Sequence, residues 1–181
     1  CLEEAIFKFS GETVTAHVAG RTDAGVHATG QVAHIDLDKP SDEKTVRDAI
    51  NYHMRPHPAA VIKAEPVDDD FHARFKAKNR VYCYKIMMHR SAEPMILKNR
   101  VWHIWHELDV EKMQEGAKHL LGKHDFSSFR SAACQADSPI RTLDRVEFFE
   151  KTDIVFGRHI EMWAEARSFL HHQIRNIIGT L

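Results

Sequence analysis

The chain has 181 residues, of which 43% are hydrophobic and 28% charged, and its formal net charge at neutral pH is −1. This composition is typical of a folded globular protein and excludes a disordered tail. Apolar runs are too short to cross a bilayer, and no signal-peptide pattern opens the chain. Three cysteines form no CxxC pair, which favours a reducing, cytoplasmic setting.

The first third of the chain predicts a helix, two strands and a second helix. Apolar residues at helical spacing open the chain at Leu2, Ala5, Ile6 and Phe9. Alternating residues then predict strands over 13–19 and 31–37, on either side of a polar loop at 20–30. Ser41 is a plausible N-cap for a helix of about a dozen residues. Residues 59–64 are a further strand candidate.

The remaining residues predict four strands and two helices. Strands are expected over 80–89 and 101–106, and a hairpin over 142–150 and 158–168. Asp109 caps a predicted helix that ends at Gly122, and residues 170–181 have the spacing of a last helix. Frequent hairpin-like pairs favour an α+β fold with mainly antiparallel sheets flanked by helices. A weak boundary near residues 65–76 predicts two α+β halves, 1–72 and 73–181.

A polar loop between glycines carries the strongest candidate for chemistry, the carboxylate of Asp23. Gly20 and Gly25 allow the chain to turn sharply on both sides of it. Arg21 lies two residues away, and its charge would keep the carboxylate ionised. The alternative is an ordinary turn in which Asp23 bonds its own backbone. The residues of the loop alone leave both interpretations open.

A concentrated positive charge in the middle of the chain points to a polyanionic partner. Residues 71–100 carry eight basic residues and one acidic residue, a net charge of +7. Basic side chains recur there at every second position and continue with the same parity into two tyrosines: Arg74, Lys76, Lys78, Arg80, Tyr82 and Tyr84. In one extended strand all six project from one face, which suits RNA phosphates followed by a stacked base. A charged edge strand is the alternative for the four cations, and Tyr82 could equally belong to the core.

Two further groups of polar residues could bind a ligand, one near the end of the chain and one among its histidines. His171, His172 and Arg175 fall on the predicted last helix, where His171 and Arg175 share a face that suits a phosphate. An exposed polar face without function is the alternative there. The fourteen histidines include the pair His103 and His106, but neither HExxH nor CxxC accompanies them. The sequence therefore predicts no metal site.

Five segments, in this order along the chain, resemble the TruA-type tRNA pseudouridine synthases. The eight residues Gly20-Arg-Thr-Asp-Ala-Gly-Val-His27 resemble the signature loop of that family. The others are Asp70-Phe-His-Ala-Arg-Phe75, Arg80-Val-Tyr-Cys-Tyr84, Asp125-Phe-Ser-Ser-Phe-Arg130 and Phe169-Leu-His-His-Gln-Ile-Arg-Asn176. The resemblance covers nearly the whole chain.

The resemblance implies an isomerase that converts uridine to pseudouridine at positions 38 to 40 of the tRNA anticodon stem-loop. It implies Asp23 as the catalytic aspartate, Arg21 and Arg175 as its electrostatic neighbours, and Tyr82 as the ring against the uracil. It further implies a homodimer without metal or organic cofactor, whose two halves meet at a central catalytic cleft. A strand before Cys1 and more chain after Leu181 are expected, so we interpret the sequence as a fragment.

Two other functions remain open from the residues. One is an RNA-binding module without chemistry, which would use residues 74–84 and an inert loop. Asp23 distinguishes it from the isomerase, because a pure RNA binder gains nothing from an anion among cations that seek phosphates. The other is a metal-dependent hydrolase.

Overall fold

The computed structural model describes residues 1–39, 41–88 and 93–181. It divides into unit 1, Cys1–Ala77, and unit 2, Lys78–Leu181. Both helices and strands occur in each unit, so the chain is α+β, as expected. The assignment of two functional halves with a boundary after residue 72 stays a prediction. In the described ranges, each helix is too short or too polar to span a membrane.

Unit 1 is built from two helices and a short strand pair. The elements are α1 (Leu2–Ser10), β1 (His17–Val18), β2 (Ala33–His34) and α2 (Glu43–Met54). The two helices pack together through Ala5, Ile6, Ile50 and Met54, which are at most 5% exposed. The N-cap of α2 is Asp42, one residue after the predicted Ser41, and its carboxylate accepts from the Thr45 amide at 3.0 Å.

Of the three strands predicted in unit 1, two are shorter than expected and one is absent. The paired strands are two residues long each, and carboxylates accept from two backbone amides outside them. Glu3 accepts from Ala16 at 2.9 Å and Glu12 accepts from Asp38 at 2.8 Å. Residues 59–64 form no strand. There the Asn51 amide group donates to the Val61 carbonyl and accepts from its N–H, which replaces a strand partner.

Unit 2 contains two sheets and two helices within its described residues. The larger sheet has the order β4-β3-β8-β7, with β3 and β4 parallel and the other pairs antiparallel, and β5 and β6 form a separate antiparallel pair. The elements are β3 (Arg80–Met88), β4 (Trp102–Ile104), α3 (Val110–Lys118), β5 (Gly122–Asp125), β6 (Ile140–Leu143), β7 (Arg145–Asp153), β8 (Gly157–Ala166) and α4 (Gln173–Thr180).

Most predicted elements of unit 2 are confirmed, with shifted ends. The Asp109 carboxylate caps α3 by accepting from the Lys112 amide at 3.1 Å, but the helix ends at Lys118 rather than Gly122. The last helix begins at Gln173, three residues later than predicted. His89, the last residue of the predicted strand 80–89, lies outside the described residues.

The core of unit 2 lies between one face of the larger sheet and the helices. Ile86, Ile160 and Met162 from neighbouring strands are completely buried there, and Ile177 of α4 is buried with them. Tyr82 and Tyr84 alternate with Ile86 on the same side of β3, so they pack at the edge of this core. The packing of α4 fixes the position of the polar residues at its N-terminal end.

Candidate active site

The loop that carries Asp23 leaves and returns to the short strand pair of unit 1. The Ala19 amide donates to the Val32 carbonyl at 2.8 Å, and the Gln31 side chain donates to the Gly20 carbonyl. The two ends of the loop are therefore held together one and two residues beyond the ladder between β1 and β2. This arrangement fixes where the loop begins while leaving its interior exposed.

A tight turn inside this loop sets the backbone at Asp23. The Val26 amide donates to the Asp23 carbonyl at 3.0 Å, with Ala24 and Gly25 between them. Gly25 has a φ of +82°, the left-handed value that the third residue of a type II turn requires. The main-chain carbonyl of Asp23 thus closes the turn. Asp23 is half-buried and Arg21 is exposed. Their electrostatic pairing stays a prediction.

Unit 2 carries the predicted aromatic residue on its larger sheet. Tyr82 is half-buried on β3, and its ring meets Phe169 edge-on with 5.0 Å between centroids. Phe169 lies between β8 and α4, so it supports the ring from outside the sheet. Sequence reasoning gave Phe169 no role, although it opens the segment 169–176 that carries the resemblance.

The structure corrects the prediction that six residues share one extended face. Residues 73–75 form a turn and the strand begins at Arg80, so Arg74, Lys76 and Lys78 are not on β3. Arg74 and Lys76 belong to unit 1, whereas Lys78 belongs to unit 2.

Two of these cations bind protein groups. Lys76 forms an ion pair with Asp70, and the Arg80 guanidinium donates to the Arg167 carbonyl. Arg80 therefore helps to join β3 to the chain that follows β8. The alternation of charge along 74–80 reflected separate local structures rather than one strand.

His171 and His172 precede α4, so the prediction that His171 and Arg175 share a helical face is wrong. Their rings lie 3.9 Å apart between centroids, and the His171 carbonyl accepts from the Ser131 amide at 2.9 Å. His172 has a φ of +61°, which turns the chain sharply into the helix. Arg175 lies on α4 itself and is exposed, opposite the buried isoleucines.

The turn at the start of α4 is fixed by a buried side chain. The Gln173 side-chain oxygen accepts from the Leu170 amide at 2.8 Å, and Gln173 is completely buried. The Leu170 carbonyl in turn accepts from the Gln173 amide at 3.1 Å. This reciprocal pair locks the residues between them, His171 and His172, into a defined turn.

A cluster of three histidines in unit 1 was missed by sequence reasoning. His17 and His34 are directly opposed on β1 and β2, and their rings stack at 4.9 Å between centroids. His72 meets His34 at 4.6 Å and His17 at 5.5 Å. Burial and then the charges of His34 and His17 hold the pKa of His72 below its ordinary value. The only signal in the sequence was the pairing of the two strands, which did not include residue 72.

Comparisons with known proteins agree with the resemblance. A family model described as tRNA pseudouridine synthase matches residues 1–76 and 117–181. The first range contains Asp23 and the three histidines, and the second contains the 169–176 segment. Tyr82 falls between the two matched ranges.

Individual relatives match over nearly the whole chain, including the stretch between those ranges. The tRNA pseudouridine synthase A of Paramagnetospirillum magneticum is 55% identical over 181 residues, which cover 99% of this chain and 68% of the relative. Those of Wolbachia pipientis wMel and Rhodospirillum centenum are 53% and 49% identical over 180 residues, which cover 99% of this chain and 71% of each relative.

Proposed function

We propose that Asp23 is the catalytic residue of this chain. The chain belongs to the tRNA pseudouridine synthase family and is an isomerase that acts on uridine in tRNA. The observation that carries the proposal is the turn that holds Asp23. It is closed by the Asp23 carbonyl and by the left-handed backbone of Gly25, so main-chain groups fix the point from which the half-buried side chain of Asp23 projects.

The reaction sets the requirements for this residue. The N1–C1′ bond of uridine breaks, the uracil turns, and a C5–C1′ bond forms while the C5 proton leaves and N1 gains a proton. Cleavage develops positive charge on the sugar while the uracil leaves as an anion. An ionised carboxylate close to the nucleoside stabilises that sugar or attacks it, as carboxylates do in glycosidases. One carboxylate is enough, because the base is recaptured and no water has to be activated.

We propose supporting roles for three further residues. Arg21 and Arg175, both exposed, are proposed as the positively charged neighbours of the reacting Asp23 carboxylate. Tyr82, supported by Phe169, stacks on the uracil after it leaves the helix. Extruding a base costs a few kcal/mol, and stacking on an aromatic ring returns about 1–3 kcal/mol of that. The proposal requires that residues of both units reach the same nucleotide in a catalytic cleft.

The remaining polar site residues are proposed to contact the tRNA. Arg74, Lys76, Lys78, Arg80 and His171 are proposed to bind the tRNA backbone near the reacting uridine. We further propose that the substrate uridines are positions 38 to 40 of the anticodon stem-loop, that the enzyme is a cytoplasmic homodimer, and that it uses no metal or organic cofactor. The substrate position, the homodimer and the absence of a cofactor rest on the resemblance of segments 20–27, 70–75, 80–84, 125–130 and 169–176. The cytoplasmic setting rests on the cysteines, and the backbone contacts rest on the charge of residues 71–100.

The test is release of tritium from tRNA whose uridines carry tritium at C5. The full-length protein is expected to release tritium to water, with and without a chelator. Asp23→Asn keeps the size of the side chain but removes its charge, and it is expected to abolish release while tRNA binding remains. Sequencing for pseudouridine in the product identifies the modified positions. Turnover retained in Asp23→Asn would remove the carboxylate from the mechanism, and modification away from positions 38 to 40 would remove the proposed substrate site.

A further inference from the structure

The three-histidine cluster, His17, His34 and His72, has no part in the mechanism above. The three rings lie on β1, on β2 and in the segment that leads to the turn 73–75. Phe71 and Phe75 border the cluster, with Phe71 6.0 Å from His34 and Phe75 4.2 Å from His72 between ring centroids. The cluster therefore connects the short strand pair to the turn that carries Arg74.

Three successive backbone amides of this turn donate to imidazole nitrogens. The Ala73 amide donates to Nδ1 of His34 at 3.1 Å. The Arg74 and Phe75 amides donate to Nδ1 of His72 at 3.2 and 3.3 Å. A ring nitrogen accepts a hydrogen bond only when it carries no proton. Both imidazoles must therefore be neutral, with the proton on the other nitrogen, for the turn to keep these bonds.

The turn separates its side chains by burial. Ala73 is 4% exposed, whereas Arg74 is exposed and its guanidinium lies 5.9 Å from the centre of the exposed Phe75 ring. The Lys76 amide donates to the His72 carbonyl at 2.9 Å, which closes the turn at its far end. The amides of residues 73 to 76 are therefore all bonded, which fixes the direction in which the Arg74 side chain leaves the backbone.

We propose that His34 and His72 are positioning residues that hold the turn 73–75 and thereby direct Arg74 to a phosphate of the bound tRNA. This inference rests on the proposed tRNA-binding role of Arg74. The imidazoles do not touch the substrate. Their ring nitrogens accept hydrogen bonds from backbone amides that would otherwise be bonded to water, because the segment belongs to no helix or strand.

Acid is expected to release this turn. The groups that act on His72 are His34 on β2, His17 on β1 and Arg74 in its own segment. The other charged residues of that segment, Asp70 and Lys76, pair with each other. Burial favours the neutral ring of His72, and so does repulsion from His34 and His17 once these take up a proton, and from Arg74. Protonation takes up the Nδ1 lone pair and adds positive charge, so the bonds to Arg74 and Phe75 are lost. The stabilisation is complete above the ordinary histidine pKa and is lost as the pH falls from there through the lower folded value.

Substitutions can separate the acceptor from the ring. Asparagine places its side-chain oxygen where Nδ1 of histidine lies, whereas glutamine moves the acceptor one methylene further away, and alanine removes it. His72→Asn is therefore expected to keep the turn, and His72→Gln and His72→Ala to lose it. The same comparison at His34 should affect the Ala73 amide alone. Hydrogen exchange of the amides of residues 73, 74 and 75 reports these bonds directly.

The experiment measures the affinity of the full-length protein for tRNA over a range of salt concentrations, in an Asp23→Asn background. Unmodified and already modified tRNA are compared, so that turnover does not enter the measurement whether or not Asp23 is catalytic. His72→Ala is expected to bind about tenfold more weakly, and the slope of log affinity against log salt should be smaller by about one, the loss of one phosphate contact. His72→Asn should bind like the background protein. In an Arg74→Ala background, His72→Ala should cause no further loss, since the two changes remove the same contact.

The affinity of the background protein should fall between neutral pH and about pH 5.5, and that of His72→Asn should fall less. Unchanged affinity in His72→Ala, or an equal loss with and without Arg74, would overturn the inference. Weak binding by a folded His72→Asn would show that the ring acts by packing and not as an acceptor. If His72→Ala does not fold, the comparison of His72→Asn with His72→Gln decides. These binding results are independent of whether Asp23 is catalytic, so each proposal can fail without the other.

Discussion

The turn beside Asp23 predicts different outcomes for alanine at two glycines of one loop. Gly25 has a φ of +82°, and a Cβ built on it would meet no atom within 4 Å. The substitution Gly25→Ala therefore creates no clash, and its cost is the backbone conformation alone. For a residue with a side chain, the left-handed conformation costs about 1–2 kcal/mol. Gly30 in the same loop also has open space around its Cβ position, but its φ is not in the left-handed range.

The free-energy cost of the left-handed backbone in Gly25→Ala predicts how much activity is lost. About 1–2 kcal/mol corresponds to a fivefold to thirtyfold smaller population of the native turn. The loop is exposed and its ends are held by their own hydrogen bonds, so it can take another conformation while unit 1 stays folded. We therefore expect Gly25→Ala to lower kcat/KM for tritium release by about fivefold to thirtyfold. The melting temperature should change little.

Two matched variants define the control. Gly30→Ala should have nearly the activity of the unsubstituted protein. Gly25→Asn should lie between the two, because asparagine adopts the left-handed conformation more readily than alanine does. Equal activity of Gly25→Ala and Gly30→Ala would refute the reasoning, since it would mean that the orientation of Asp23 does not depend on this turn.

Two further predictions concern unit 2. Tyr82→Phe keeps the ring beside Phe169 and should bind tRNA normally. Tyr82→Leu loses base stacking worth about 1–3 kcal/mol and should lower kcat/KM for tritium release at least about fivefold. Equal tRNA affinity and equal kcat/KM in the two variants would contradict a stacking role. Glu161 accepts from Lys85 at 2.8 Å and from the Trp163 indole at 3.0 Å. Burial raises the pKa of Glu161, but these bonds outweigh it and the net direction is downward. Urea unfolding should show Glu161→Ala destabilised by about 1–3 kcal/mol at neutral pH, because Lys85 and Trp163 lose their acceptor. The difference should shrink as the pH falls below about 4.5, the ordinary glutamate value, and a constant difference down to about pH 3 would contradict the ionised pair.

Local patterns predicted the helices because both the apolar spacing and the caps are short-range features. Asp109 and the residues that follow it specify the start of α3 without help from the rest of the chain. The loop around Asp23 could also be selected from sequence, since a glycine two residues after an aspartate is a strong turn signal. The sequence could not predict which side chains surround Asp23, because this depends on how distant parts of the chain pack. The catalytic role of Asp23 stays a prediction.

The errors arose where distant side chains take up backbone groups. Charges at every second residue from Arg74 suggested a strand, but His34 and His72 accept the amides of that segment and bend it into a turn. Likewise, Asn51 binds both backbone groups of Val61, so a segment with strand-like composition has no ladder. Neither interaction leaves a periodic signal, because each depends on how separate parts of the chain pack.

Two hydrogen bonds at the base of the Asp23 loop make the folding of unit 1 independent of the proposed catalytic residue within the loop. The bonds from Ala19 to Val32 and from Gln31 to Gly20 close the loop irrespective of the residues between them. Lengthening a closed loop is thermodynamically cheap, about 0.6 kcal/mol for each doubling. Unit 1 should thus tolerate an altered or lengthened tip, and a screen for thermal stability alone would pass variants that have lost all activity.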